Sequence, residues 1–182
     1  MLIVIAVMGT AAAAALPSTS RALADFRLRG DARSLHHNVG LAKMRAAARF
    51  TRERLYVDVA ANQYHLEYWD KTASAWTVEG GTIALSSGVQ FGFGGLTQPP
   101  PSTQNSLALA PACRDAAGDA VANSSCIVFN SRGIPIDSSG GPTGASALYL
   151  TDGVGTYGVT ISATPLVRLW WTPAGSASWT HR

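Results

Sequence analysis

The first sixteen residues, Met1 to Leu16, carry no charged side chain. Pro17 follows, and a polar run rich in arginine then continues to about Arg54 without another proline. In this second part the apolar positions fall at Leu28, Ala32, Leu35, Val39, Ala42 and Ala46. The steps alternate between four and three, which places all six on one side of an α-helix. Arg21, Asp25, Arg29 and Arg33 form a second file at four-residue spacing, and Arg27–Asp31 adds a pair. Such pairs hold an exposed helix by roughly 0.2–0.5 kcal/mol each. The pattern predicts one long helix, apolar on all sides over residues 1–17 and amphipathic over 18–54. Its weak point is Asn38-Val39-Gly40, because a glycine costs about 1 kcal/mol in a helix interior.

After Arg54 the period changes from helical to two. Leu55, Val57 and Val59 alternate with Tyr56 and Asp58, and Tyr64, Leu66 and Tyr68 alternate with His65, Glu67 and Trp69. With Ala60-Ala-Asn-Gln63 between them, these runs predict a hairpin. Shorter strands are expected around Trp76–Val78 and Ile83–Leu85, split by Gly80-Gly81, and at Val89–Phe93. Residues 94–125 form a long irregular insertion with Gly94-Gly95, Pro99-Pro100-Pro101 and Pro111, and loops of this length are functional or disordered in most folds. The β pattern resumes at Cys126–Phe129 and again at Ala147–Leu150, Tyr157–Ile161 and Val167–Trp170. Asp152-Gly153 marks a turn, and Pro165 must sit at a strand end or an edge. The chain therefore reads as α+β: a long N-terminal helix packed on a C-terminal antiparallel β head over residues 55–182.

An apolar run of sixteen residues falls short of the roughly 20 that span a bilayer. A secretory signal would begin with a basic segment, and none precedes this run in the sequence. The run starts at full hydrophobicity, as the remainder of a longer span would. Charge sharpens the division. Residues 21–54 hold nine Lys/Arg against three Asp/Glu, and the rest holds five against eight, so a basic stalk carries a mildly acidic head under the overall +3. A solvated helix face near anionic lipid headgroups is one reading of the arginine run; a nucleic-acid contact is the other. Cys113 and Cys126, in a Gly/Pro/Ser-rich stretch, fit a single disulfide in an oxidising compartment, or two separate buried thiols. Without a CxxC or a nearby histidine pair they do not suggest a metal site. His36 and His37 face different directions on a helix and read as surface residues.

Candidate catalytic chemistry is not found in the sequence: there is no HExxH, GxSxG, P-loop or defensible carboxylate pair. Gly153-Val-Gly155-Thr-Tyr-Gly158 matches GxGxxG, but a dinucleotide site needs a helix after it, and Val159-Thr-Ile161 reads as a strand. The expectation is a non-enzyme without cofactor. The five tryptophans lie in or beside predicted strands, and an exposed Trp170-Trp171 pair would be a subunit contact.

Leu2-Ile-Val-Ile-Ala-Val-Met-Gly9, the run Ala11–Ala15 and Leu16-Pro17 resemble the N-terminal helix of type IV pilins and pseudopilins. Within the head, Val128-Phe129-Asn130-Ser131-Arg132-Gly133 is similar to the strand and turn of the GspH/FimT group of minor pseudopilins. Leu41–Ala47 stands where that group ends its helix, and Val167-Arg168-Leu169 stands in its last hairpin. The resemblance implies a low-copy structural subunit at or near the tip of a type II secretion pseudopilus. It further implies a bacterial inner-membrane anchor with a periplasmic head, and partners among other pseudopilins or pilins through the helix. Leu2, Ile5, Gly9, Ala13, Leu16 and Pro17 would pack that helix in the membrane and the filament, Gly9 and the alanines allowing close approach. Aligned on Pro17, Met1 falls one position after the family's glutamate, which implies that prepilin peptidase acts on a longer precursor whose new N-terminus is methylated. The alternative is a FimT-like minor pilin that binds DNA for natural transformation. Its contacts would be Arg168 and Arg182, although Thr164-Pro165-Leu166 replaces the Gly-Arg pair usual there.

Overall fold

A computed structural model describes the backbone of residues 2–182 and the side chains of residues 21–182. The helix α1 runs unbroken over Leu2–Arg49, about 72 Å at 1.5 Å per residue. It continues through Gly40 without leaving helical geometry. It stops five residues earlier than the polar run suggests. Phe50 takes a left-handed φ of 53° and ends the helix, and Arg52 and Arg54 belong to the connection and to the first strand.

The head contains ten strands: β1 (Glu53–Asp58), β2 (Gln63–Asp70), β3 (Ala75–Ala84), β4 (Gln90–Phe91), β5 (Ser124–Phe129), β6 (Pro135–Ile136), β7 (Ala147–Thr151), β8 (Gly155–Ile161), β9 (Val167–Pro173) and β10 (Thr180–His181). They form two five-stranded antiparallel sheets, ordered β3-β2-β1-β5-β6 and β10-β9-β8-β7-β4. The predicted first hairpin is present, with Leu55 opposite Leu66 and Val57 opposite Tyr64. Gly80-Gly81 does not divide two strands. It lies within β3, where the register shifts between Tyr64 and Leu66 of the partner strand, and Gly80 supplies the φ of 79° that the irregularity requires. The expected strand at Val89–Phe93 shrinks to Gln90–Phe91, paired with β7. The GxGxxG match is the β7–β8 hairpin, where Asp152 accepts hydrogen bonds from the backbone of Val154 and Gly155.

The helix is the wall that both sheets share. All six residues of the predicted stripe are at most 1% exposed. They meet Leu55, Tyr64, Ile127 and Phe129 of the first sheet and Leu148, Leu150, Val159, Ile161 and Leu169 of the second in one core. Half of the stripe is alanine, which lets the strands come close to the helix axis. Polar contacts fix the docking. Ser34 Oγ meets Tyr64 Oη at 2.8 Å, and Lys43 Nζ donates to the Pro165 carbonyl at 3.0 Å. Asp25 pairs with Arg29 at 2.8 Å as the spacing predicts, but Asp31 does not pair with Arg27. Its carboxylate accepts the backbone N–H and the hydroxyl of Ser86, because a head loop reaches it.

The long insertion is held to the head and does not hang free. Cys113 and Cys126 form a disulfide with Cα atoms 4.9 Å apart. Ser125 Oγ donates to the Ala110 carbonyl, and Tyr149 Oη donates to Gln104 at 2.7 Å. No α-helix and no strand forms between Gly92 and Asn123.

Candidate functional site

The outward side of α1 comes first. Where one stripe is buried, the opposite side should be polar. Here it also carries Leu23, Phe26 and Met44, which are 50%, 67% and 58% exposed. Phe26 and Met44 are eighteen residues apart, about five helical turns, so they lie on one line along the rod. The six helix-packing residues expected from the sequence, Leu2, Ile5, Gly9, Ala13, Leu16 and Pro17, have side chains outside the described residues, and so does the transmembrane reading of 1–17. Among the described residues no helix is long and apolar enough to cross a membrane.

The lower end of the helix is locked to the head by charge. Glu53, the first residue of β1, is fully buried, and neither carboxylate oxygen has a hydrogen-bond partner among the described residues. Burial, and after it the neighbouring Glu79 carboxylate, push its pKa up to about 7 against the opposing pull of Arg49 and Arg45. Glu79 itself is held by Arg45 at 3.1 Å and by Arg49. Two of the nine stalk bases thus neutralise a head carboxylate and do not face solvent alone.

The motif around Phe129 acquires a reason. Phe129 is wholly buried. The Asn130 side chain accepts N–H bonds from Arg132 and Ile134, closing the turn. Gly133 sits at φ 71°, and a Cβ there would meet the Lys43 carbonyl oxygen at 3.0 Å. Glycine is needed for the turn and for the close approach of the turn to α1.

Arg168 and Arg182 are both exposed, and the chain's end runs alongside β9, so that Arg182 comes to lie beside Leu169, the neighbour of Arg168. Arg168 lies opposite Thr160, with its side chain on the sheet face away from Leu169 and Trp171. Arg182 donates its N–H to the Leu169 carbonyl, and its guanidinium lies 5.1 Å from the Trp171 ring. Trp170 and Trp171 are half-buried, and Trp170 Nε1 donates to Thr160. His37 is exposed as expected, whereas His36 is half-buried, with Nε2 3.4 Å from the Val167 carbonyl.

Sequence reasoning missed the outer face of the first sheet. There Arg54, only 4% exposed, is ion-paired to Glu67, and His65 approaches the other oxygen of Glu67 at 3.0 Å. Arg52 lies 4.5 Å from the Trp69 ring, and Arg54 lies 4.0 Å from that of Trp76. The available signal was the alternation itself, since Arg54, His65, Glu67 and Trp69 are the polar phase of the first hairpin.

No protein-family model matches the chain, and no curated protein matches it. Among solved structures it is similar to the minor pseudopilin EpsH from the type 2 secretion system of Vibrio cholerae. The two are 14% identical with a TM-score of 0.49, covering 82% of this chain and 99% of that one. A likeness of this size does not bear on function, which rests on the chain's own residues and architecture.

Proposed function

We propose that this chain is a minor pseudopilin, a structural subunit at or near the tip of the type II secretion pseudopilus that supports protein export across the outer membrane. The observation that carries the reading is the two-sided helix. One stripe is fully consumed by the head, while the other side keeps large apolar groups at Leu23, Phe26 and Met44 half or more exposed. A monomeric soluble protein has little reason to expose such groups in line. Packed against the helices of neighbouring subunits, they become part of a filament core. In this reading the apolar run of 1–17 anchors the subunit in the bacterial inner membrane with the head in the periplasm, the disulfide suits that oxidising compartment, and prepilin peptidase matures a longer precursor.

The test replaces Phe26 and Met44 with aspartate in the full chain in its native host, following export of secreted proteins and DNA uptake in parallel. Loss of export with normal head stability and normal DNA uptake is expected. Normal export combined with lost DNA uptake, and a salt-sensitive gel shift abolished by Arg168→Ala and Arg182→Ala, would replace this reading with a DNA-binding minor pilin.

A further inference from the structure

The outer face of the first sheet, turned away from α1, bears a cleft of about 230 Å³. Arg54 lines its floor. Nε of Arg54 donates to Glu67 and Nη1 to the Arg114 carbonyl, while Nη2 forms no hydrogen bond among the described residues. Arg52 and Arg114 also line the cleft. Neither makes an ion pair among the described residues, and Arg114 Nη1 donates only to the Gly118 carbonyl. Trp69 and Trp76 form one wall, and the Cys113–Cys126 disulfide and Val128 form the other.

The cleft's chemistry is specific. Set against aromatic faces, the guanidinium of Arg52 and the one open nitrogen of Arg54, Nη2, are fixed in direction, and such N–H groups match a carboxylate. The stacking also holds two long side chains in place before any ligand arrives, which lowers the entropic cost of binding. The volume is below the roughly 300–1,000 Å³ of small-molecule sites, so it suits one side chain and not a whole cofactor. Two acids, Asp115 and Asp137, also line the cleft. Their Oδ1 atoms are engaged by their own loops, Asp115 by the Asp119 N–H and Asp137 by the N–H groups of Ser139 and Gly141. Their charge still repels a run of phosphates, while a lone carboxylate with a basic neighbour satisfies arginines and acids together.

We propose that this cleft is a docking site for one carboxylate side chain carried on an extended segment of a partner protein, with a basic residue beside it. The proposal is independent of the filament reading, since the cleft is on the face away from the helix.

The test uses the full chain in detergent micelles and follows the indole N–H signals by NMR. Trp69→Phe and Trp76→Phe variants assign the two signals of interest. The probes are acetyl-Lys-Glu-Lys-amide, the same peptide with glutamine at the centre, and a hexathymidylate oligonucleotide. We expect the glutamate peptide to shift both signals saturably and the glutamine peptide to bind about tenfold more weakly, the equivalent of about 1.4 kcal/mol. Arg52→Gln and Arg114→Gln together should weaken the glutamate peptide by a similar factor, with the indole signals of Trp170, Trp171 and Trp179 unmoved as the control for folding. Equal binding of the two peptides, no saturable shift with the glutamate peptide, or stronger binding of the oligonucleotide overturns the proposal.

Discussion

Glu53 shows how one buried group makes the fold sensitive to pH. Its folded pKa is raised from 4.5 to about 7 by burial and by Glu79. In this range the native state holds a proton that the unfolded chain releases. The stabilising contribution is therefore complete below about pH 4.5 and is lost as pH rises through about 7, a total of about 3 kcal/mol. Urea unfolding of the wild type and of Glu53→Gln across pH 4 to 8 checks this. The difference between the two profiles should grow in favour of the variant toward pH 8, and parallel profiles would remove the assignment. Gly133 acts at the same scale by backbone geometry. Gly133→Ala must hold φ 71° with a methyl group against the Lys43 carbonyl, so a loss of about 1–3 kcal/mol is expected in chemical denaturation.

Among the elements, the helix stripe and the long insertion make opposite demands. Leu35 is fully buried where α1 meets both sheets, and Leu35→Ala should cost about 2–5 kcal/mol, because the surrounding strands are pinned by their ladders and close only partly around the cavity. Between Gly92 and Asn123 the insertion has no strand and only one internal bridge, Arg114 to Ala120, and the disulfide ties its end. Replacing Cys113 and Cys126 by serine should cost about 3 kcal/mol for a loop of this size. Limited proteolysis should then cut within residues 94–123 well before it cuts the sheets, and an unchanged cleavage pattern would show that the polar ties at Ala110 and Gln104 suffice.

Taken whole, the molecule is a rod shared between a core and an outer surface. Aspartate at Phe26 and Met44 removes apolar groups already more than half exposed, so thermal unfolding of the full chain should move little, because surface changes usually stay within about 0.5 kcal/mol. A large fall in melting temperature would mean that these residues serve the subunit and not its assembly.

The long helix, its buried stripe and the first hairpin were legible in the chain because each is a local periodicity, 3.6 or 2, repeated often enough to stand out. Sequence alone leaves the pairing of Cys113 with Cys126 open, and the fold decides it by bringing their Cα atoms to 4.9 Å. The partition of ten strands into two sheets had no local signature, since pairing β1 with β5 joins residues some seventy positions apart. The same holds for Asp31, which left its expected helical partner once a head loop supplied two donors. It holds for Arg168 and Arg182 too, fourteen positions apart in the chain, whose placement follows from the pairing of the C-terminal segment with β9. The cleft depended most on tertiary structure. Its arginines, tryptophans and disulfide come from three separate parts of the chain, and only the packed sheet makes them neighbours.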